Sequence, residues 1–162
     1  ARREKTTLEE VVAGDSIHLD PEVTITVLHP ETDTNYGSDN AGSVGLQIDY
    51  RGRRILLTGD LENEGLWSLL AKPARKVDVL LAPHHGSLAA NPLALAEWCD
   101  PSWIVASSGR RFPGDRLRNQ YSRYGSRVLS TSEEGAIEFT MTPSGEIFSK
   151  SWRATSEDRR LR

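Results

Sequence analysis

Cysteine is almost missing from this chain. Cys99 is the only one among 162 residues, so an internal disulfide and a cysteine-built zinc cluster are both excluded. Long apolar runs are missing too: no stretch approaches the roughly 18 residues of a membrane-crossing helix. The start shows no secretory-signal pattern. With a formal net charge of −3, there is no global basic field of the kind that accompanies nucleic-acid binding. That balance weighs against a pure DNA-binding module but leaves room for an enzyme that acts on nucleic acid. No internal repeat and no low-complexity segment occurs. The chain opens Ala1-Arg2-Arg3-Glu4-Lys5 without an initiator methionine, which reads as a cut beginning. Arg153 to Arg162 reads as a polar tail.

What is present fits one globular domain, expected over residues 1–152. Apolar residues make up 37% and charged residues 27%, ordinary values for a chain long enough to bury a core. Val23 to Leu28, Val44 to Tyr50 and Arg54 to Thr58 read as strands. The last two are joined by the tight turn Arg51-Gly52. Glu31 to Gly42, rich in Asp, Asn, Gly, Thr and Ser, reads as a loop. Glu62 to Ala71 has helical apolar spacing and is stopped by Pro73. Val77 to Ala82 and Trp103 to Ala106 are short apolar runs suited to burial on both faces.

A further helix is expected after Asn91, with Asn91 as its cap and Pro92 in its first position. Another is expected over Asp115 to Tyr124. Arg127 to Leu129, Ala136 to Met141 and Glu146 to Lys150 close the chain as strands. Antiparallel strands followed by strand–helix alternation predict a layered α/β (α+β) domain, a mixed sheet flanked by helices.

Two segments carry chemistry. In Ile55-Leu56-Leu57-Thr58-Gly59-Asp60 an apolar strand ends abruptly in Thr-Gly-Asp, which presents a carboxylate at the strand's carboxyl end, where ligand sites gather in such sheets. The competing reading is that Asp60 caps the following helix. In Asp78-Val79-Leu80-Leu81-Ala82-Pro83-His84-His85-Gly86-Ser87 a second buried strand ends in two adjacent imidazoles. Adjacent side chains point apart, so one histidine is expected to ligate a metal ion and the other to face substrate or support the first. A right-handed crossover would bring both strand ends to one edge, so that carboxylate and imidazole converge as in hydrolytic zinc or manganese sites.

His18 and His29 read as surface or strand-end residues. Trp67, Trp98 and Trp103 read as core packing. The arginines 110, 111, 116, 118 and 123 read as a solvated helix face, with phosphate contact as the alternative.

The stretch Asn40 to Ser87 resembles the second half of the metallo-β-lactamase-fold domain of ComEC-type DNA-internalisation competence proteins. The matching pieces are Asn40-Ala41-Gly42-Ser43-Val44, Leu56-Leu57-Thr58-Gly59-Asp60, Val77-Asp78-Val79-Leu80 and Pro83-His84-His85-Gly86-Ser87. Ser132-Glu133-Glu134-Gly135-Ala136-Ile137 is similar to that family's closing strand. Phosphorylcholine esterases and other phosphodiesterases of the fold carry a similar pair of motifs.

The resemblance implies the C-terminal half of an αββα sandwich and a two-metal site for zinc or manganese. Asp60 and His85 would be the metal ligands, His84 the catalytic residue facing the phosphate, and Ser87 and Asn40 the substrate contacts. It further implies DNA as substrate of a parent that is a multi-pass protein of the bacterial inner membrane, with this domain on the extracytoplasmic side. The missing N-terminal half of the domain would be its partner.

Two departures qualify that expectation. The superfamily's His-x-His-x-Asp-His motif is absent, since none of the four histidines has that spacing. Phe112-Pro113 also stands where the family usually has His-Pro. The alternatives are a non-catalytic module of the same fold that contacts nucleic acid or protein, and a phosphodiesterase for small phosphoesters.

Overall fold

The computed structural model describes residues 9–109 and 112–153. Seven strands form one sheet in chain order: β1 (Ser16–Asp20), β2 (Val23–His29), β3 (Gly45–Tyr50), β4 (Arg53–Leu57), β5 (Val79–Leu81), β6 (Trp103–Ala106) and β7 (Arg127–Ser130). β1 to β4 are antiparallel, and β4 to β7 are parallel. The sheet is therefore mixed, as the succession of elements predicts.

The change of direction follows from the connections. Arg51 and Gly52 both have positive φ (50° and 77°), a two-residue turn of the twist that joins adjacent antiparallel strands. Beyond β4 each link contains a helix: α1 (Asn63–Leu70), α2 (Leu93–Cys99) and α3 (Gly114–Tyr121). A crossover of that kind returns the chain parallel to the strand it left.

Alternation along the strands then sorts the residues by face. Leu56, Leu80, Ile104 and Val128 are register partners across β4 to β7. All are buried in one cluster with Leu66 and Leu69 of α1, Leu95 and Trp98 of α2, and Leu117 and Tyr121 of α3. This is the core, and it fixes the helices to one face. On the opposite face Trp103 stacks edge-on against Phe139, with ring centroids 5.5 Å apart. Phe139 belongs to β8 (Ile137–Met141), which pairs with β9 (Ile147–Ser151) as a separate hairpin. The short helix α4 (Thr131–Glu134) leads into it.

Several expectations change in the fold. β1 was not legible, because all five of its residues are exposed and carry no buried face. Trp67 is 56% exposed rather than core, while Trp98 is buried. Arg116 and Arg123 are exposed and Arg118 pairs with Asp115 and Glu133, as in a solvated helix face; Arg110 and Arg111 lie outside the described residues. So does the expected tail, apart from Arg153.

His29 departs furthest from expectation, because it is fully buried rather than a surface group. Its Nδ1–H donates to the Ser43 carbonyl at 2.8 Å, which pins the returning end of the 30–44 loop. Its ring also lies 4.6 Å from that of Tyr36, whereas Nε2 has no partner. Burial pulls the ring's pKa below the ordinary histidine value, partly offset by the Ser43 hydrogen bond.

A folded-state pKa that is lowered means that the unfolded chain binds the proton more readily. Stability from this group is then full above about pH 6.5 and is lost as the pH falls below it, with a limiting slope of about 1.4 kcal/mol per pH unit for one proton. His29→Asn keeps a donor for Ser43 and should flatten this part of the stability–pH curve, measured by urea unfolding from neutral to acid pH. Superimposable curves for the two proteins would show that His29 does not titrate on unfolding.

Candidate metal and catalytic site

The carboxyl ends of the parallel strands lie along one edge, and each is followed by polar residues. β4 leads into Thr58-Gly59-Asp60, β5 into Pro83-His84-His85-Gly86, β6 into Ser107-Ser108 and β7 into Thr131-Ser132. Two bonds tie the first two ends together. The buried Thr58 hydroxyl donates to the Leu81 carbonyl at 2.8 Å, and the His84 N–H donates to the Gly59 carbonyl at 3.1 Å.

The loop after β5 has an uncommon backbone. His84, His85 and Gly86 have φ of 48°, 56° and 83°, three left-handed residues in succession, of which two bear side chains that disfavour that region. Gly86 is needed here for a second reason. A Cβ at this position would stand 2.9 Å from the Ala106 Cβ and 3.0 Å from the Phe112 ring, so the loop lies tight against β6 and the start of α3.

The turn separates the two imidazoles, whose centroids are 6.3 Å apart. His85 Nδ1–H donates to the Ser107 carbonyl at 2.9 Å. That bond turns Nε2 toward Asp60, 3.5 Å from its Oδ1. His84 turns the other way: its Nδ1–H donates to Glu62 Oε2 at 2.8 Å. The Asn40 amide donates to the other oxygen of Glu62 at 3.0 Å. These contacts hold the Glu62 carboxyl below the ordinary glutamate range, with the Asn40 bond first and the His84 bond second.

Asp60 is not the cap of α1. Glu62 occupies that position and makes no side-chain cap bond. The side chains of Asp60 and His85 are 44% and 63% exposed, and so open a pair is worth little to stability. Stability therefore does not account for their convergence.

The structure thus brings Asp60, His85, His84 and Asn40 to one edge, with Ser87 at the end of the loop, its N–H bonded to the His84 carbonyl at 2.9 Å. Asn40 faces Glu62, a residue that sequence reasoning passed over although it follows Gly-Asp by two positions. Asn91 does not take the capping position that its place before Pro92 predicts. The N-cap of α2 is Pro92 instead, and the buried Asn91 amide donates to the Pro83 and Ser87 carbonyls.

Among the described residues no group of three or more His, Cys, Asp or Glu side chains stands ready to hold a metal ion. Asp60 and His85 have the chemistry of two ligands, and His85 has the tautomer and carbonyl support that a ligating imidazole needs. They fit part of a divalent site rather than a whole one, since catalytic zinc sites use about three protein ligands.

No protein-family model matches the chain. It is 31% identical over 144 residues to ComE operon protein 3 of Bacillus subtilis, covering 86% of this chain and 18% of that protein. Competence protein ComA of Neisseria gonorrhoeae is 31% identical over 113 residues, 66% of this chain and 16% of the relative. Recombination protein 2 of Haemophilus influenzae is 32% identical over 104 residues, 62% of this chain and 13% of the relative. The chain thus spans less than a fifth of the curated relatives it matches.

A solved structure described as a metal-dependent hydrolase from Parabacteroides distasonis superposes with a TM-score of 0.55 at 15% identity, over 75% of this chain and 56% of that one, and so shares the fold. With the α/β layers, the Gly59-Asp60 and His84-His85 edges and these relatives together, the chain belongs to the ComEC-type competence protein family and has the fold of its metallo-β-lactamase-like domain.

Proposed function

We propose that this chain is part of a metal-dependent phosphodiester hydrolase domain, a nuclease acting on DNA during uptake. The observation that carries this reading is the approach of His85 Nε2 to Asp60 Oδ1, with the imidazole turned by the Ser107 carbonyl on Nδ1 so that Nε2 faces the carboxylate. Asp60 and His85 would hold the divalent metal, zinc or manganese. When bound, it supplies a Lewis acid that activates water and neutralises phosphate charge.

The chain's own residues supply the rest. His84, protonated on Nδ1 toward Glu62, keeps Nε2 for exchanging a proton with the substrate, and the Glu62 carboxylate stabilises the ring when it is charged. Asn40 fixes that carboxylate from its other side. Ser87, at the loop end, offers a hydroxyl for a phosphate oxygen.

The remaining ligands belong to the other half of the domain. Its seat is the second face of the sheet, where Ile25, Leu46, Ile48, Ile55 and Leu57 are only half-buried. Phe148 of β9 and Trp152 just after it are likewise exposed. Apolar area of this kind marks an interface, and the relatives are more than five times longer than the matched stretch. The domain would lie on the extracytoplasmic side of a multi-pass parent in the inner membrane. No helix among the described residues is long and apolar enough to cross a membrane.

A second reading, a non-catalytic module that keeps the fold for contact with nucleic acid or protein, is favoured by Phe112. Its ring packs on the core and beside Gly86, and it offers no donor where the family resemblance implies a histidine.

Two measurements separate these readings. In the full-length parent, Asp60→Ala and Asp60→Asn should each lower DNA hydrolysis by orders of magnitude with melting temperature little changed, since the carboxylate's negative charge offsets that of the cation and neither replacement supplies it. Full activity in the Asn variant would remove Asp60 from the site. The isolated chain should retain little metal through dialysis, because it presents two ligands where about three are needed. Stoichiometric, tightly held zinc by elemental analysis would show that the described residues complete a site after all.

A further inference from the structure

The three left-handed residues His84, His85 and Gly86 do not hold themselves. Their conformation is costly for side-chain-bearing residues; the turn's main-chain bonds run between its own groups apart from the His84 N–H to the Gly59 carbonyl, which holds its first residue only. What braces both of its ends from the core is Asn91. This side chain is fully buried. One nitrogen, Nδ2, donates to the Pro83 carbonyl at 3.0 Å and to the Ser87 carbonyl at 2.7 Å, the residues immediately before and after the turn. The amide itself is oriented, because Oδ1 accepts from the buried Tyr121 hydroxyl at 3.3 Å. Asn91's main-chain carbonyl accepts from the Gln120 side chain. Burial pushes the Tyr121 phenol well above its ordinary value, so this donor keeps its proton throughout the working pH range.

We propose that Asn91 is a positioning residue, whose carboxamide closes the Pro83–Ser87 turn from within the core and thereby aims His85 at Asp60 and His84 at Glu62. The inference rests on the reading that Asp60 and His85 belong to the reacting site. Core filling alone would be served by an apolar side chain, which needs no donor. Two bracketing carbonyls ask for a pair of N–H donors on one atom, and at this position only an amide supplies them together with an acceptor for Tyr121. Loss of the donors leaves each carbonyl with only its local main-chain partner, the Gly86 N–H on Pro83 and the Ala90 N–H on Ser87, removes the one side chain that spans both ends of the turn, and frees the turn to relax toward ordinary φ.

The test reads ring tautomers by nitrogen-15 NMR on this 162-residue chain, which has four histidines. At about pH 8, where free imidazole is neutral, His84 and His85 should each show a single tautomer with the proton on Nδ1. Asn91→Asp is isosteric but lacks both donors. It should turn His84 and His85 into tautomer mixtures and leave His29 on its Ser43 carbonyl.

A variant that melts earlier yet keeps both rings in the Nδ1–H form would overturn the proposal and reduce Asn91 to core packing. If Asn91→Asp fails to fold, seen by loss of the His29 signal, Tyr121→Phe decides. It removes only the hydroxyl that orients the amide. A shift of the His85 tautomer there supports the proposal, and an unchanged His85 overturns it. The readout needs neither metal nor DNA, so its outcome is separate from that of the Asp60 variants.

Discussion

Parallel pairing of β4 with β5 is the constraint on which the rest depends. The register of the two strands is not free to slide: Ile55 faces Val79, Leu56 faces Leu80 and Leu57 faces Leu81. A one-residue slip would turn Leu56 and Leu80 out of the helix-covered core. That register sets the two strand ends level, so that Asp60 and the His84-His85 turn emerge side by side, and the Thr58 and His84 bonds then lock them. The same pairing continues through β6, whose end brings the Ser107 carbonyl under His85. Core packing and site geometry are thus two results of one alignment.

The edge so built is polar, open and divided into two arms. One arm is Asp60 with His85, Nε2 standing 3.5 Å from Oδ1. The other, Asn40 with Glu62 and His84, is a chain of charge-assisted hydrogen bonds. The left-handed turn keeps the two arms apart although their histidines are neighbours in sequence. Such strained conformations persist only where surrounding structure over-determines them, and here Gly86 against β6 and Asn91 from beneath do so. On the sheet's other face the apolar strands are only partly covered by the β8–β9 hairpin, which joins no other strand among the described residues. A two-stranded hairpin is weak by itself, and contact such as that of Phe139 with Trp103 is what seats it.

Much of this was legible in the amino-acid order, and for physical reasons. Strand–helix alternation, the Arg51-Gly52 turn and the abrupt endings at Gly59-Asp60 and Pro83-His84-His85 are local signals, carried by periodicity and by residues that break it. They were enough to expect a mixed sheet with flanking helices and a carboxylate meeting an imidazole at one edge. β1 escaped because an exposed edge strand has no buried face to leave a pattern. Trp67 misled because helical spacing places a residue near a core face without saying how far the helix is rotated.

Other features were settled by tertiary structure alone. Whether His29 lies in water or in the core depends on which loop folds back over it, and Ser43 is 14 residues away. The partnership of Glu62 with His84 spans 22 residues, and that of Asn91 with Tyr121 spans 30. A cap and a buried clamp use the same amide, and the choice between them is made by what surrounds it. Sequence by itself determined the kinds of elements and the chemistry at their ends, because propensity and periodicity act over a few residues. Only the packed fold decided which of those ends meet, which nitrogen of His29, His84 and His85 donates and what holds the turn, because those outcomes depend on contacts between segments that the chain order keeps apart.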